Sequence, residues 1–197
     1  MSGAATCAGL ILAAGESRRM GFPKALLRYR GEAFLDCTIR LLAPHCSPVI
    51  VVLGAGAEEI RAQAQRPATF VINANYRSGQ TSSMHAGLRA LPAGSAGVLF
   101  TLVDHPAVAP ETVAALVADA GPGVLVRVPR FHGQRGHPIW FSSALVPEFL
   151  ELPEDGAARD VVRRHAAETR FLDGNDAGIL ADIDDREAYR ALVGSEA

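Results

Sequence analysis

The stretch LILAAGESRRMGFPKALL, residues 10–27, decides the fold because it joins a buried strand to a loop of small and cationic residues. Its first residues are apolar throughout, which is typical of a strand covered on both faces of a sheet. The loop that follows carries three cations, Arg18, Arg19 and Lys24. Open α/β sheets bind ligands at the carboxyl ends of their strands, so the stretch predicts an anion site after the first strand.

Phosphate is the anion that best suits this loop. Small residues at Ala14 and Gly15 let backbone N–H groups approach an oxyanion without steric hindrance. The arginines would add bidentate hydrogen bonds, and Lys24 would add a point charge. The alternative is a solvated turn whose cations only keep this edge of the sheet soluble.

The spacing of the glycines and of Lys24 excludes two familiar glycine-rich loops. A Walker A loop has lysine directly after its second glycine, whereas two residues separate Gly21 from Lys24 here. A dinucleotide fingerprint needs three glycines, and no glycine stands at positions 17 or 20. The other candidate, which starts at Gly54, has Glu59 in place of its third glycine.

Composition narrows the class of protein. The chain has 197 residues, of which 49% are hydrophobic and 20% charged, and this suits a single domain over residues 1–197. A formal net charge of −2 excludes a broad positively charged surface for binding nucleic acid. The three cysteines lack C-x-x-C spacing, so they predict neither a disulfide framework nor a zinc site. Without a basic leader or a membrane-length apolar run, we expect a soluble cytoplasmic protein with no membrane partner.

Apolar runs alternate with segments of helical period over the first two thirds of the chain. The runs begin near Ala8, Pro48, Thr69 and Gly97. The helical segments are residues 31–44, 56–65, 82–92 and 109–121. This alternation predicts an α/β fold, a Rossmann-like sandwich with a mostly parallel, doubly wound sheet.

The last third changes character. Residues 123–142 predict two extended segments around a polar turn at 132–136, which is a small antiparallel excursion. Helices near 143–150 and 157–168 and a strand at 169–173 should follow. The segment GILADIDDREAYRALV, residues 178–193, then predicts a short strand that ends in acids and a helix that starts at Asp185.

Two groups of acids supply oxygen ligands for a metal ion. Asp104 stands where an apolar run ends, and Asp182 and Asp184 would share one side of the predicted strand. Mg²⁺ typically takes one or two carboxylates together with substrate phosphates. The alternative is that Asp104, and Asp184 or Asp185, cap the helices that follow them.

Five segments together resemble the nucleotidylyltransferases of molybdenum cofactor maturation, and most of all the CTP:molybdopterin cytidylyltransferase branch. They are LAAGESRRMGFPK, NANYRSGQTSSMHAGL, LVDHP, GHPIWF and DIDDREAY. The first is specific for the wider superfamily, while the G-Q-x-S-S and G-H-P segments indicate the narrower branch. The resemblance implies transfer of a nucleotidyl group from an NTP, with CTP favoured, to the terminal phosphate of molybdopterin. It also implies a molybdoenzyme as the downstream client.

The resemblance assigns roles to the residues at matching positions. Nucleotide contacts are implied for Leu12, Ala13, Ala14, Gly15, Asn75, Gln80, Ser82 and Ser83. Arg19 and Lys24 would hold the triphosphate. Asp104 would bind Mg²⁺ with Asp182 or Asp184, and we favour Asp184 because it stands nearer the end of the predicted strand. His137 and Arg159 would lie on the acceptor side.

The chain departs from the branch at two places. His105 follows Asp104 where the branch has glutamine, and Glu154 and Ala157 replace two glycines of the segment before Arg159. His105 and His137 both adjoin prolines near the expected cleft, and both a ligand contact and a structural role stay open for them.

Rival functions also stay open. They are the guanylyltransferase of the same cofactor, a sugar-phosphate or methylerythritol-phosphate nucleotidylyltransferase, and a nucleotide-binding sensor without catalysis.

Overall fold

The structure is a computed structural model that describes residues 7–118 and 122–194. Its strands are β1 (Cys7–Ala13), β2 (Arg28–Tyr29), β3 (Glu32–Ala33), β4 (Cys46–Leu53), β5 (Thr69–Ile72), β6 (Gly97–Leu102), β7 (Val126–Phe131), β8 (Gln134–Arg135), β9 (Ile139–Ser142) and β10 (Thr169–Asp173). Its α-helices are α1 (Phe34–Leu42), α2 (Ala57–Gln63), α3 (Gln80–Arg89), α4 (Pro110–Val117), α5 (Val146–Leu150), α6 (Ala158–Arg164) and α7 (Arg186–Gly194).

The main sheet has the strand order β10-β7-β9-β6-β1-β4-β5, with β8 paired to β7. Strands β1, β4, β5 and β6 are parallel, and β10 is parallel to β7. Strand β9 runs antiparallel to both β6 and β7. The predicted Rossmann-like α/β fold, with its antiparallel excursion, is therefore confirmed.

The strand order creates a switch point beside β1. The chain moves from β1 to β4 and β5 on one side, and then returns to place β6 on the other side of β1. Leu12 in β1 consequently pairs with Val52 in β4 and with Leu102 in β6. In open α/β sheets, the crevice at the carboxyl ends of such strands is where ligands bind.

Alternate side chains of β1 enter two separate cores, one on each face of the sheet. Ile11 packs with the residues of α1 and α4, whereas Leu10 packs with those of α3 and α5. Both side chains have no exposed surface. Because helices cover both faces, every residue along the strand has to be apolar, which explains the continuous run in the sequence.

The predicted strand over residues 178–184 is wrong. Residues Ala177–Leu180 form a 3-10 helix, and the chain continues from there without regular structure. Asp176 initiates this turn by accepting a hydrogen bond from the N–H of Gly178 at 2.9 Å. Ile179 and Ile183 are both buried and anchor this irregular segment in the core.

Several helix boundaries also differ from the predictions, among them those of α1, α3 and α6. The first helix begins at Phe34 rather than at residue 31, because Glu32–Ala33 pairs with Arg28–Tyr29 in a small hairpin. Helix α6 ends at Arg164, before the predicted end at 168. The end of the predicted helix 109–121 lies at residues 119–121, outside the described residues. Within the described ranges, none of the helices is both long and apolar enough to cross a membrane.

Candidate active site

A cavity of about 590 Å³ opens at the carboxyl ends of β1 and β6. That volume falls in the range of small-molecule sites. Many of the residues predicted from the sequence line it: Leu12, Ala13, Ala14, Gly15, Arg19, Lys24, Gln80, Ser83, Asp104 and Asp184. The structure thus brings together the loop after β1, the start of α3 and the acids, although they are far apart in sequence.

Ser17 organises the loop after β1. Its carbonyl oxygen accepts hydrogen bonds from the N–H groups of Met20 and Gly21, both at 3.0 Å. Its Oγ accepts a third from the N–H of Lys24 at 3.0 Å. Ser17 has a φ of 51°, in the left-handed region that non-glycine residues rarely adopt. No role was predicted for Ser17, yet its side chain holds the backbone of Lys24 in place.

Lys24 is the charge at the floor of the cavity. Its Nζ lies 2.9 Å from Asp104 Oδ2 and 2.5 Å from Asp184 Oδ1. Only 13% of its side chain is exposed. Burial alone would lower the pKa of Lys24, but the hydrogen bonds and charges of Asp184 and Asp104 outweigh it, and the pKa is raised. Lys24 is therefore held as a cation between two carboxylates.

The two arginines of the loop differ in their partners. Arg19 donates to Asp184 Oδ2 at 2.6 Å, whereas Arg18 donates to Glu16. The side chains of Arg18 and Arg19 are 82% and 69% exposed. Arg77, across the mouth of the cavity, also donates to Glu16, at 3.0 Å. Hydrogen bonds from Arg18 and Arg77 lower the pKa of Glu16, so Arg18 is engaged at the rim while Arg19 reaches the acids.

Backbone contacts hold the C-terminal acids beside Asp104. The N–H of Ile183 donates to the carbonyl oxygen of Asp104 at 3.1 Å. One turn earlier, the carbonyl oxygen of Ile179 accepts from the N–H of His137 at 3.0 Å. Gly136 permits this approach, since a Cβ there would lie 2.3 Å from the same oxygen.

Asp104, His105 and Asp182 form a group whose ligand atoms all lie within 4.8 Å of one another. Asp104 Oδ1 is buried and has no hydrogen-bond partner among the described residues. Desolvation and the negative charges of Asp104 and Asp184 raise the pKa of Asp182 to about 6. Crowded carboxylates with an uncommitted buried oxygen fit a divalent cation. Asp184 instead faces Lys24, whose hydrogen bond lowers the pKa of Asp184.

The remaining predicted residues lie outside the cavity wall. Of the described residues that line it, none is Asn75, Ser82, His137 or Arg159. Arg159 is exposed on α6. His137 is largely covered rather than fully buried, with its ring 5.7 Å from that of Phe100 and 5.1 Å from that of His105. Burial, followed by the charge of His105, lowers the pKa of His137 to about 4, so this ring is neutral.

Asn73, which the sequence analysis did not single out, positions the segment between β5 and α3. Its Nδ2 donates to Ser82 Oγ at 2.9 Å and to Ser83 Oγ at 3.1 Å. Its Oδ1 accepts from the N–H of Asn75 at 2.9 Å. The feature of the sequence that could have indicated this role is a polar residue directly after a strand. Asn73 is buried and supports Ser83, which lines the cavity.

Solved structures share this architecture. Rv0371c from Mycobacterium tuberculosis has a TM-score of 0.83 and 30% identity, covering 96% of this chain and 98% of its own. A nucleotidyl transferase from Methanothermobacter thermautotroptrophicus has a TM-score of 0.81, with coverage of 98% of both chains, and at 22% identity it supports the fold alone. A family model, the MobA-like NTP transferase domain, matches residues 9–169. The chain belongs to this family and is a nucleotidyltransferase.

Curated relatives carry several different names. Nicotine blue oxidoreductase of Paenarthrobacter nicotinovorans is 34% identical, over 93% of this chain and 95% of the relative. The purine catabolism protein PucB of Bacillus subtilis is 32% identical, over 92% and 93%. The molybdenum cofactor cytidylyltransferase of Escherichia coli is 28% identical, over 89% of each chain.

Proposed function

We propose that this chain transfers a cytidylyl group from CTP to the terminal phosphate of a molybdopterin-type acceptor, with Mg²⁺ as the divalent cation. The observation that carries the proposal is Lys24 set between Asp104 and Asp184 at the floor of a nucleotide-sized cavity. The cytidylyltransferase relative aligns along 89% of this chain, whereas a guanylyltransferase relative from Chloroflexus aggregans aligns along 55%. We further propose that residues 1–197 act as one nucleotidyltransferase domain. The cytoplasmic location expected from the sequence is likewise part of this proposal.

The triphosphate would occupy the loop after β1. Ala14 and Gly15 line the cavity without bulky side chains, so their backbone would be open to phosphate oxygens, and Arg19 and Lys24 supply positive charge. Both cations are paired with Asp184 in the structure. When the triphosphate binds, Arg19 and Lys24 would therefore exchange their carboxylate partner for phosphate oxygens. Both cations already lie at the site.

Asp104 and Asp182 would hold the divalent cation. When bound, the cation supplies positive charge that neutralises the phosphate oxygens. Lys24 keeps Asp104 oriented through Oδ2, which leaves Oδ1 for the cation. Positioning and charge neutralisation are the main contributions that a protein makes to this class of reaction.

The reaction needs no general base. The second pKa of a phosphate monoester is about 6, so near neutral pH the acceptor is largely a dianion. One of its oxygens forms a bond to the α-phosphorus of CTP, and the bond from that phosphorus to the bridging oxygen breaks. Pyrophosphate leaves with the electron pair of that bond, and Lys24 and Arg19 balance its growing charge.

Pyrophosphate release tests the proposal. The protein is incubated with each of the four NTPs, Mg²⁺, and molybdopterin with or without molybdenum. We expect pyrophosphate from CTP that depends on the acceptor. Release from GTP alone would replace cytidylyl by guanylyl transfer, and nucleotide binding without release would indicate a sensor.

A second candidate rests on the relative from Paenarthrobacter nicotinovorans, which is named as an oxidoreductase. The glycine spacing of neither candidate loop matches a dinucleotide fingerprint, which argues against a nicotinamide cofactor. The same preparation is assayed for oxidation of NADH and NADPH with nicotine blue. Oxidation without pyrophosphate release would favour this candidate.

A further inference from the structure

We propose that His105 acts as a third ligand beside Asp104 and Asp182, so that this site binds Mn²⁺ in preference to Mg²⁺. The inference rests on the proposed function, since it concerns the cation of that same site. It adds a nitrogen ligand to a site for which the sequence predicted carboxylate ligands alone.

The geometry places the imidazole beside the free carboxylate oxygen. His105 Nε2 lies 4.0 Å from Asp104 Oδ1, the buried oxygen without a hydrogen-bond partner among the described residues. One ligand atom from each of Asp104, His105 and Asp182 lies within 4.8 Å of the other two. Asp182 is exposed, so its side chain has room to move toward the other two. One cation can then contact all three residues.

His105 is also fixed and uncommitted. The residue is only 5% exposed, and its ring lies against that of His137. Its Nδ1 is buried without a hydrogen-bond partner in the described part of the chain. Buried polar atoms are normally paired, so the unpaired Oδ1 of Asp104 beside the His105 ring indicates a missing ligand.

The chemistry of the ligand set decides between cations. Mg²⁺ strongly prefers oxygen ligands and keeps much of its water shell. Imidazole nitrogen binds first-row transition metals well, and carboxylates suit Mn²⁺. Two carboxylates with one imidazole therefore favour Mn²⁺ over Mg²⁺, whereas a pair of carboxylates alone would discriminate less. Glutamine, the residue of the resembling branch after the aspartate, offers no such nitrogen.

The experiment titrates the full-length, nucleotide-free protein with MnCl₂ and follows the free Mn²⁺ signal by electron paramagnetic resonance. Competition with MgCl₂ gives the ratio of the two dissociation constants. We expect Mn²⁺ to bind at least about tenfold more tightly than Mg²⁺, and His105→Gln to weaken Mn²⁺ binding by about 10- to 100-fold. His45→Gln, at an exposed position after α1, is the control and should leave the Mn²⁺ dissociation constant within about threefold of wild type.

A second measurement needs no variant. Pulsed electron paramagnetic resonance of Mn²⁺ bound to the wild type should show coupling to an imidazole nitrogen. Equal losses of Mn²⁺ and Mg²⁺ affinity in His105→Gln, or a spectrum without nitrogen coupling, would overturn the inference. A nitrogen-free spectrum together with CTP-dependent pyrophosphate release would leave the proposed function intact. Nitrogen coupling without pyrophosphate release from any NTP would support His105 as a ligand and refute the proposed function.

Discussion

The backbone N–H of Ile183 donates a hydrogen bond to the carbonyl oxygen of Asp104 at 3.1 Å. Ile183 is buried, and it anchors the segment that carries Asp182 and Asp184 against the end of β6. The two aspartates take different partners: Asp182 lies with Asp104 and His105, and Asp184 pairs with Lys24. One contact between distant parts of the chain therefore brings together the proposed metal ligands and the cations proposed to bind the triphosphate.

Lys24→Ala should weaken binding of CTP by about tenfold to a hundredfold. The substitution removes a charge-assisted contact to phosphate, which contributes roughly 1.5–3 kcal/mol. Equilibrium binding of CTP and the turnover rate are measured together. Arg18→Ala is the control, because Arg18 is engaged with Glu16 at the rim, and its loss should matter less than that of Arg19. Unchanged affinity and rate in Lys24→Ala would exclude this residue from the triphosphate site.

Asp104→Asn should abolish metal-dependent turnover while the melting temperature stays close to wild type, since the amide keeps the shape and loses the charge. Asp182→Asn should lower metal affinity more than Asp184→Asn, and Asp184→Asn should mainly alter KM for CTP. This order reverses our expectation from the sequence, because Asp184 faces Lys24 and Arg19. Titration with Mg²⁺ and steady-state kinetics separate the effects. Unfolding of Asp104→Asn with full activity in the folded remainder would support the helix-cap alternative.

His137 should make the stability of the metal-free protein depend on pH. Its pKa is lowered from 6.5 to about 4 in the folded protein. Stability is therefore fully present above pH 6.5 and is lost as the pH falls toward 4, because the unfolded chain takes up the proton first. The shift corresponds to about 3 kcal/mol in total.

The measurement is the free energy of unfolding at pH 7.5 and pH 4.5, in the presence of a chelator. The loss between the two pH values should be smaller in His137→Gln than in wild type by about 2–3 kcal/mol. His45→Gln, at an exposed position after α1, controls for removal of a histidine. The same pH dependence in His137→Gln and wild type would show that His137 is not held neutral by burial.

The sequence predicted the sheet and the position of the loop after β1 well because both are local. Each buried parallel strand is an uninterrupted apolar run, and the loop after β1 has small residues and cations within a few positions. The segment around Ile183 was predicted as a strand because alternating acids imitate a period of two. Its conformation is set by tertiary contacts instead, namely the bond to Asp104 and the turn initiated by Asp176.

The parts of the site that could not be predicted from the sequence depend on distant partners, or on residue types that have many possible roles. Ser17 fixes Lys24 through a backbone contact, and a serine in a polar loop has many equally plausible roles. Asn73 supports Ser83 through a hydrogen bond, and this contact forms only once α3 packs against the end of β5. The pairing of Asp184 with Lys24 could not be deduced either, since it depends on where the C-terminal segment docks.

CTP should be used in preference to GTP. Ala14 is buried and lines the cavity, and we expect its methyl group to leave less room for a purine than glycine would. Gln80, at the start of α3, also lines the cavity and can both donate and accept hydrogen bonds, which suits the mixed edge of cytosine. We therefore expect kcat/KM for CTP to exceed that for GTP by well over tenfold, since each buried polar group left unpaired costs roughly 1–3 kcal/mol. The double variant Ala14→Gly with Gln80→Ala should narrow that ratio mainly by losing CTP efficiency. Equal use of both nucleotides by the wild type would refute the cytidylyl preference while leaving nucleotidyl transfer in place.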